Sequence, residues 1–301
     1  MKKLLVLLLL FLLSCGPTEE EIQEQIDEAV EEAVEDVLEE IATTTSSTTT
    51  IPPTTTSSTT TSSTTTTTTI PINNIEIGIM APLTGDLAFF GPQFEQASKL
   101  AISEVNFEIS SYGYQFVPFV QDDSCSDKII DNFQEILDKN ITYIIGPACS
   151  YDLRKLIESG KIKESPNLVL ISPTASDPVL LNLLSDSIYT LHPEGALDFD
   201  PSEDFVEKYD SFLKSQNGTE LSSGYSRINE ARYYDSTYII MLLLIDYFIN
   251  ENVLDFKLEN YTNNGTKCNT SECINLLLSG NNIDYIGAIG DFEITNNHSN
   301  K

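Results

Sequence analysis

Apolar residues change rhythm several times along the chain. Leu4 to Leu13 is an almost unbroken apolar run behind Lys2 and Lys3. It is short for a bilayer span and fits the apolar region of a secretory signal. Between Glu19 and Ala42, apolar residues recur at Ile22, Ile26, Ala29, Val30, Ala33, Val34, Val37, Leu38 and Ile41. Steps of three and four predict an amphipathic helix. From Thr43 to Thr69 only Ile51, Pro52 and Pro53 interrupt threonine and serine. Such a tract has nothing to bury, which predicts an extended, disordered spacer able to carry O-glycans.

From Asn74 onward, short apolar runs alternate with helical spacing. Ile75–Ala81, Gln115–Val120, Thr142–Ile145 and Leu168–Ile171 read as strands, with Ser187–Leu191 a further candidate. Gly91–Val105, Asp127–Leu137 and Tyr151–Lys161 read as helices between them. This alternation predicts an α/β fold with a doubly wound parallel sheet and right-handed crossovers. In such sheets ligands bind outside the carboxyl ends of the strands. The segments expected there are Pro82–Gly91, Gln121–Cys125, Gly146–Ser150 and Ser172–Pro178. Further on, Asp200-Pro201-Ser202-Glu203 reads as a helix start with Asp200 as cap, running to about Lys214. Tyr234-Asp235-Ser236 opens an apolar helix to Phe248, and Asp246 interrupts the longest apolar run there.

Charge narrows the partners. The formal net charge is −30 and the pI about 4.1. Phosphates are repelled, which argues against nucleic acid. Twelve of the acidic residues lie in Glu19–Ala42. Their mutual repulsion favours a solvated helix, while the eleven-residue spacing (Ile22 to Ala33, Ile26 to Val37) leaves a weak coiled-coil association open. No nucleophile–base–acid set and no phosphate loop is visible, so an enzyme is not expected, and no cofactor is implied.

Five cysteines are present. Cys15 follows Leu12-Leu13-Ser14, and this order of basic residues, apolar run and cysteine resembles the lipobox of bacterial lipoproteins. The resemblance implies a lipid on Cys15 and a chain anchored to a membrane on its periplasmic or cell-surface side. Export to an oxidising compartment makes two disulfides the natural use of the remaining four cysteines. Cys125 and Cys149 fall in neighbouring loops on one sheet edge, so a bond between them is sterically compatible and is expected to contribute roughly 3 kcal/mol. Cys268 and Cys273 are expected to bond locally. No CxxC pair occurs, and His192 and His298 are far apart in sequence, so no metal site is expected.

Ala81-Pro82-Leu83-Thr84-Gly85, Asp122-Asp123 before a cysteine, Ile145-Gly146-Pro147 and Ile171-Ser172-Pro173-Thr174-Ala175 together resemble the first lobe of type I periplasmic binding proteins. The closest likeness is to the branched-chain amino-acid-binding family. The resemblance implies that Cys125 and Cys149 are bonded to each other. It also implies that Ser150 and Ser176 hold a ligand α-carboxylate, that the Thr174 carbonyl meets the α-ammonium and that Phe90 lines the pocket. Ser150 opens a helix, where anions are favoured; as residue types alone, Ser150 also reads as an N-cap and Ser176 as a turn residue.

The chain departs from the family after Tyr189-Thr190-Leu191-His192-Pro193. It continues directly with Glu194-Gly195-Ala196-Leu197, where the family inserts most of its second lobe. Tyr234-Asp235-Ser236 and the ending Tyr285–Phe292 again resemble segments returning to the first lobe, and the family's final strands are expected to be missing. The boundaries drawn are 1–14 for a signal peptide, 15–42 for the lipidated N-terminus and acidic helix, 43–72 for the linker, 73–193 for the first-lobe domain and 194–301 for the returning segment. The expected function is an extracytoplasmic substrate-binding lipoprotein of an ABC-type importer. Its ligand would be an amino acid of branched-chain type or a related small amide, and its protein partners the permease subunits. The alternatives are an envelope interaction or regulatory module on the same fold, and a truncated product that binds nothing.

Overall fold

The computed structural model describes residues 71–191, 200–217, 227–252, 257–295 and 298–300. Cys15, the expected signal peptide and acidic helix, most of the expected linker and the junction at 192–199 lie outside the described residues. Among those described, no helix is long and apolar enough to cross a membrane.

The chain runs β1 (Asn73–Ala81), α1 (Gly91–Ile109), β2 (Tyr114–Asp122), α2 (Ile129–Asp138), β3 (Tyr143–Ile145), α3 (Ser150–Ser159), α4 (Lys161–Glu164), β4 (Val169–Ser172), α5 (Pro178–Leu181) and β5 (Ile188–Thr190). After the junction come α6 (Glu203–Asn217), α7 (Ile228–Phe248), α8 (Glu259–Thr262), β6 (Thr266–Cys268), α9 (Thr270–Leu278), β7 (Ile283–Gly287), β8 (Gly290–Asp291), β9 (Glu293–Thr295) and β10 (His298–Asn300). The main sheet has the order β2-β1-β3-β4-β5-β10-β9, with β1 to β5 parallel.

Alternation along each strand divides the core into two layers, as a sheet covered on both faces requires. Ile77, Ile79, Ala81, Ile145, Val169, Ile171 and Tyr189 pack with α1, α6 and α7. Met80, Ile144, Leu170 and Ile188 pack on the opposite face with α2, α3 and α4. The expected doubly wound α/β fold is therefore present.

Helix α7 begins at Ile228, six residues before the start read from the sequence. Every residue from Glu230 to Ile245 is buried. A helix covered all round has no polar face, so amphipathic spacing could not mark its beginning. Helix α6 starts at Glu203, and the Phe205 amide donates to Ser202 Oγ at 3.2 Å. Ser202 thus takes the capping role expected of Asp200.

Residues after Leu278 correct a second expectation. Two strands, β9 and β10, do follow the Tyr285–Phe292 stretch, which itself contains β8. β8 pairs antiparallel with β7, and β10, paired antiparallel with β9, adds to β5 through His298 opposite Thr190. These strands are two or three residues long, too short for an alternating pattern to register. The small sheet β6-β7-β8 is stapled by Cys268 and Cys273, whose sulfurs sit at bonding distance with Cα atoms 5.1 Å apart.

One buried carboxylate joins these parts. Asp235 on α7 accepts from Tyr285 Oη at 2.8 Å, the Ala288 amide at 2.7 Å and the Ile289 amide at 2.9 Å. Gly287 makes this approach possible, because a Cβ there would fall on the Asp235 carboxylate. Burial still outweighs the three donors and pushes the Asp235 carboxyl up to about 6.

Candidate functional site

The order β2-β1-β3-β4-β5 places the topological switch point between β1 and β3, where open α/β sheets form their ligand crevice. The loops after β1, β3 and β4 meet at this carboxyl edge through a connected set of hydrogen bonds.

Asp122, at the end of β2, takes the Leu83 amide at 2.8 Å, the Thr84 amide at 3.1 Å and the Thr84 hydroxyl, and also the Ser124 amide at 2.8 Å. It therefore fixes the start of the loop that carries Phe90. After β3 the chain turns at Gly146, whose φ is +100° and whose amide donates to Ile171 O at 2.7 Å. A side chain at Gly146 would fall on the Met80 carbonyl oxygen, which already accepts the Tyr233 hydroxyl at 2.9 Å. Only glycine meets both demands cheaply.

Helix α3 starts directly beyond this turn at Ser150. Ser150 Oγ accepts the amides of Ser176, at 3.0 Å, and Asp177, at 3.2 Å. Thr174 Oγ1 donates to Ala148 O at 2.8 Å. Asp177 caps α5 by accepting the Val179 amide at 2.9 Å and pairs with Arg154 of α3. The loop after β4 is thus fastened to α3 from both ends.

Of the four residues expected to line a pocket, Ser150 and Ser176 are in direct contact and Thr174 is bonded two residues before Ser150. Phe90 sits on the neighbouring loop, with its ring centroid 5.4 Å from that of Phe89 and 6.0 Å from that of Phe94. Phe94 stacks on Tyr233 at 4.6 Å, which ties Phe90 to the α7 layer.

Cys125 and Cys149 sit at bonding distance, with Cα atoms 5.6 Å apart, and hold the loop after β2 against the start of α3. Behind them lie two fully buried carboxylates, Asp123 and Asp152. Asp123 accepts the Ala148 amide at 2.7 Å. Neither oxygen of Asp152 makes a close hydrogen bond, and the Cys125 backbone amide is the one donor that bears on it. Burial pushes both carboxyls up, Asp123 to about 6 and Asp152 to about 8; the Asp122 charge adds to the rise at Asp123, and the Asp123 charge to the rise at Asp152. Sequence reading noticed Asp123 only as half of an acidic pair. It passed over Asp152, which reads as an ordinary acid in a first helical turn.

A separate cavity of about 730 Å³ lies away from this edge, lined by Glu104, Glu108, Asp204, Lys208 and Tyr234 among others. Lys208 Nζ is 3.3 Å from Glu104 and 3.5 Å from Asp204, and Tyr234 donates to Glu104.

No family model matches the chain. A Leu/Ile/Val-binding protein of Rhizobium johnstonii is 27% identical over 108 residues, covering 36% of this chain and 29% of that protein. A leucine-specific-binding protein of Salmonella typhimurium is 27% identical over 109 residues with the same coverage. The matched part therefore spans less than a third of these relatives' length. Among solved structures, a leucine-binding protein from Thermotoga maritima aligns with 75% of this chain and 93% of its own, at 11% identity and a TM-score of 0.45. A branched-chain amino-acid transporter substrate-binding protein from Streptococcus pneumoniae, in complex with isoleucine, aligns with 55% and 47%, at 17% identity and a TM-score of 0.34. Over the matched stretch, this chain is similar to proteins that bind branched-chain amino acids.

Proposed function

We propose that this chain is an extracytoplasmic substrate-binding protein of an ABC-type importer. In this reading it is held at the membrane by a lipid on Cys15 and takes a free amino acid of branched-chain type. The observation that carries the reading is the junction at Ser150. Its oxygen accepts two amides of the loop after β4, which leaves its own O–H as a donor at the start of α3, beside the switch point. A hydroxyl and a helix N-terminus can hold a carboxylate without a counter-charge. Ser176 shares that role, the Thr174 carbonyl receives the ammonium and Phe90 covers the aliphatic side chain. The relatives named above, which bind leucine, isoleucine and valine, supply the ligand class.

Calorimetric titration of the purified chain with leucine, isoleucine, valine and a panel of other amino acids and amides tests this. Saturable binding of a branched-chain amino acid, weakened at least tenfold by Ser150→Ala, is the expected result; tenfold corresponds to about 1.4 kcal/mol, a typical charge-assisted hydrogen bond. A folded chain giving no heat at millimolar ligand would sink the reading. Recovery of an envelope enzyme in place of permease subunits in a cross-linked pull-down would favour an interaction module on the same fold.

A further inference from the structure

We propose that Asp123, Cys125, Cys149 and Asp152 form a redox-gated metal site, closed as the disulfide and opened by a thiol reductant into a two-sulfur, two-oxygen donor set for zinc. The inference does not depend on the amino-acid-binding reading.

One donor atom from each residue lies within 4.8 Å of all the others. The two cysteines are half-buried and reachable from solvent, and the two carboxylates are fully buried behind them. In a tetrahedral zinc site, bonds of about 2.0 to 2.3 Å place neighbouring donors about 3.3 to 3.8 Å apart. The four groups therefore need to close in by only about 1 Å once the sulfurs separate.

Asp152 is the observation that points to a ligand. It is fully buried and neither oxygen makes a close hydrogen bond, the Cys125 backbone amide being the one donor that bears on it, in a structure where nearby acids are engaged. Asp122 accepts three backbone amides, and Asp127 accepts Tyr151 Oη at 2.7 Å and pairs with Lys155 at 3.0 Å. A second buried carboxylate beside Asp152, with no cation against either, is costly unless a positive charge enters. Thiolates select zinc over the hard cations that carboxylates alone would favour. Sequence spacing gives no sign of such a site, because Cys125 and Cys149 are 24 residues apart; the fold removes that separation.

The chemistry balances with a dithiol as reductant. It delivers two electrons and two protons to the S–S bond and leaves as its own cyclic disulfide. Zinc then displaces the two thiol protons, together with any proton held between the carboxylates. The metal would cross-link the loop after β2 to the start of α3, as the disulfide does.

The test uses the full chain, reduced with a phosphine that is then removed without air, and titrated with Co(II) and Zn(II). The expected result is a thiolate-to-cobalt charge-transfer band with visible d–d bands, rising to one equivalent and discharged by Zn(II). The oxidised chain should give none, and Cys125→Ser/Cys149→Ser should remove that equivalent whatever Cys268 and Cys273 contribute. Asp152→Asn and Asp123→Asn should each weaken binding at least tenfold, with circular dichroism unchanged. Bands that survive the double serine variant undiminished, or that ignore both asparagine variants, would overturn the proposal. If reduction unfolds the chain, recovery of the helical signal on adding zinc supports the site, and no recovery overturns it.

Discussion

Asp235 and Asp152 are both inaccessible to water, yet their surroundings differ in one respect. Asp235 has three close donors converging on it, whereas Asp152 makes no close hydrogen bond and has only the Cys125 amide bearing on it. The first carboxylate is a fastening: it draws the end of β7 and the turn to β8 onto α7, and Gly287 is small so that it can. The second faces another acid at the edge where ligands are expected. Burial alone therefore does not tell what a carboxylate does; the donors around it do.

Three substitutions test this contrast. Asp235→Ala leaves the Tyr285 hydroxyl and two amides without an acceptor, and should destabilise the fold by at least about 3 kcal/mol in denaturant unfolding. A loss under about 1 kcal/mol would mean that the fastening is dispensable. Gly287→Ala attacks the same contact from the other side. The added methyl meets the carboxylate, for an expected cost of about 1 to 3 kcal/mol in the same measurement.

Asp152→Asn should behave in the opposite sense. The folded chain raises this carboxyl to about 8 from an ordinary value of 3.8, so it binds the proton more tightly than the unfolded chain does. Below pH 4 both states are protonated and the group costs nothing through linkage. As pH rises from 4 to 8 only the unfolded state releases the proton, and stability is lost. The asparagine variant should therefore match the parent near pH 4 and exceed it at pH 8 by about 1 kcal/mol or more. Thermal unfolding followed across that range decides it; a variant less stable at pH 8 would mean that the Cys125 amide outweighs the burial of Asp152.

Much of the sheet could be read from the chain because its strands are apolar runs bounded by turn residues. Ile75–Ala81 and Leu168–Ile171 are of this kind. Ser150 and Ser176 could be named through the resemblance of the loops around them, and the fold does bring them into contact. What escaped notice lacks a local signal. Helix α7 is buried on every side, so its beginning shows no polar face. Ser202 displaced Asp200 as cap because the helix starts two residues later than the proline suggested. Asp123 and Asp152 acquire their character only when two loops, distant in sequence, are pressed together by the Cys125–Cys149 bond.

The pairing of β10 with β5 has a consequence for how such a gene can change. The strands laid down before the junction and those laid down after it meet at neighbouring positions of one sheet, while α6 and α7 pack on helices and strands already in place. A whole module can therefore be added or removed between Leu191 and Asp200 without re-threading any strand. An insertion at that point would leave the pairing of β5 with β10 and the two packed layers as they are.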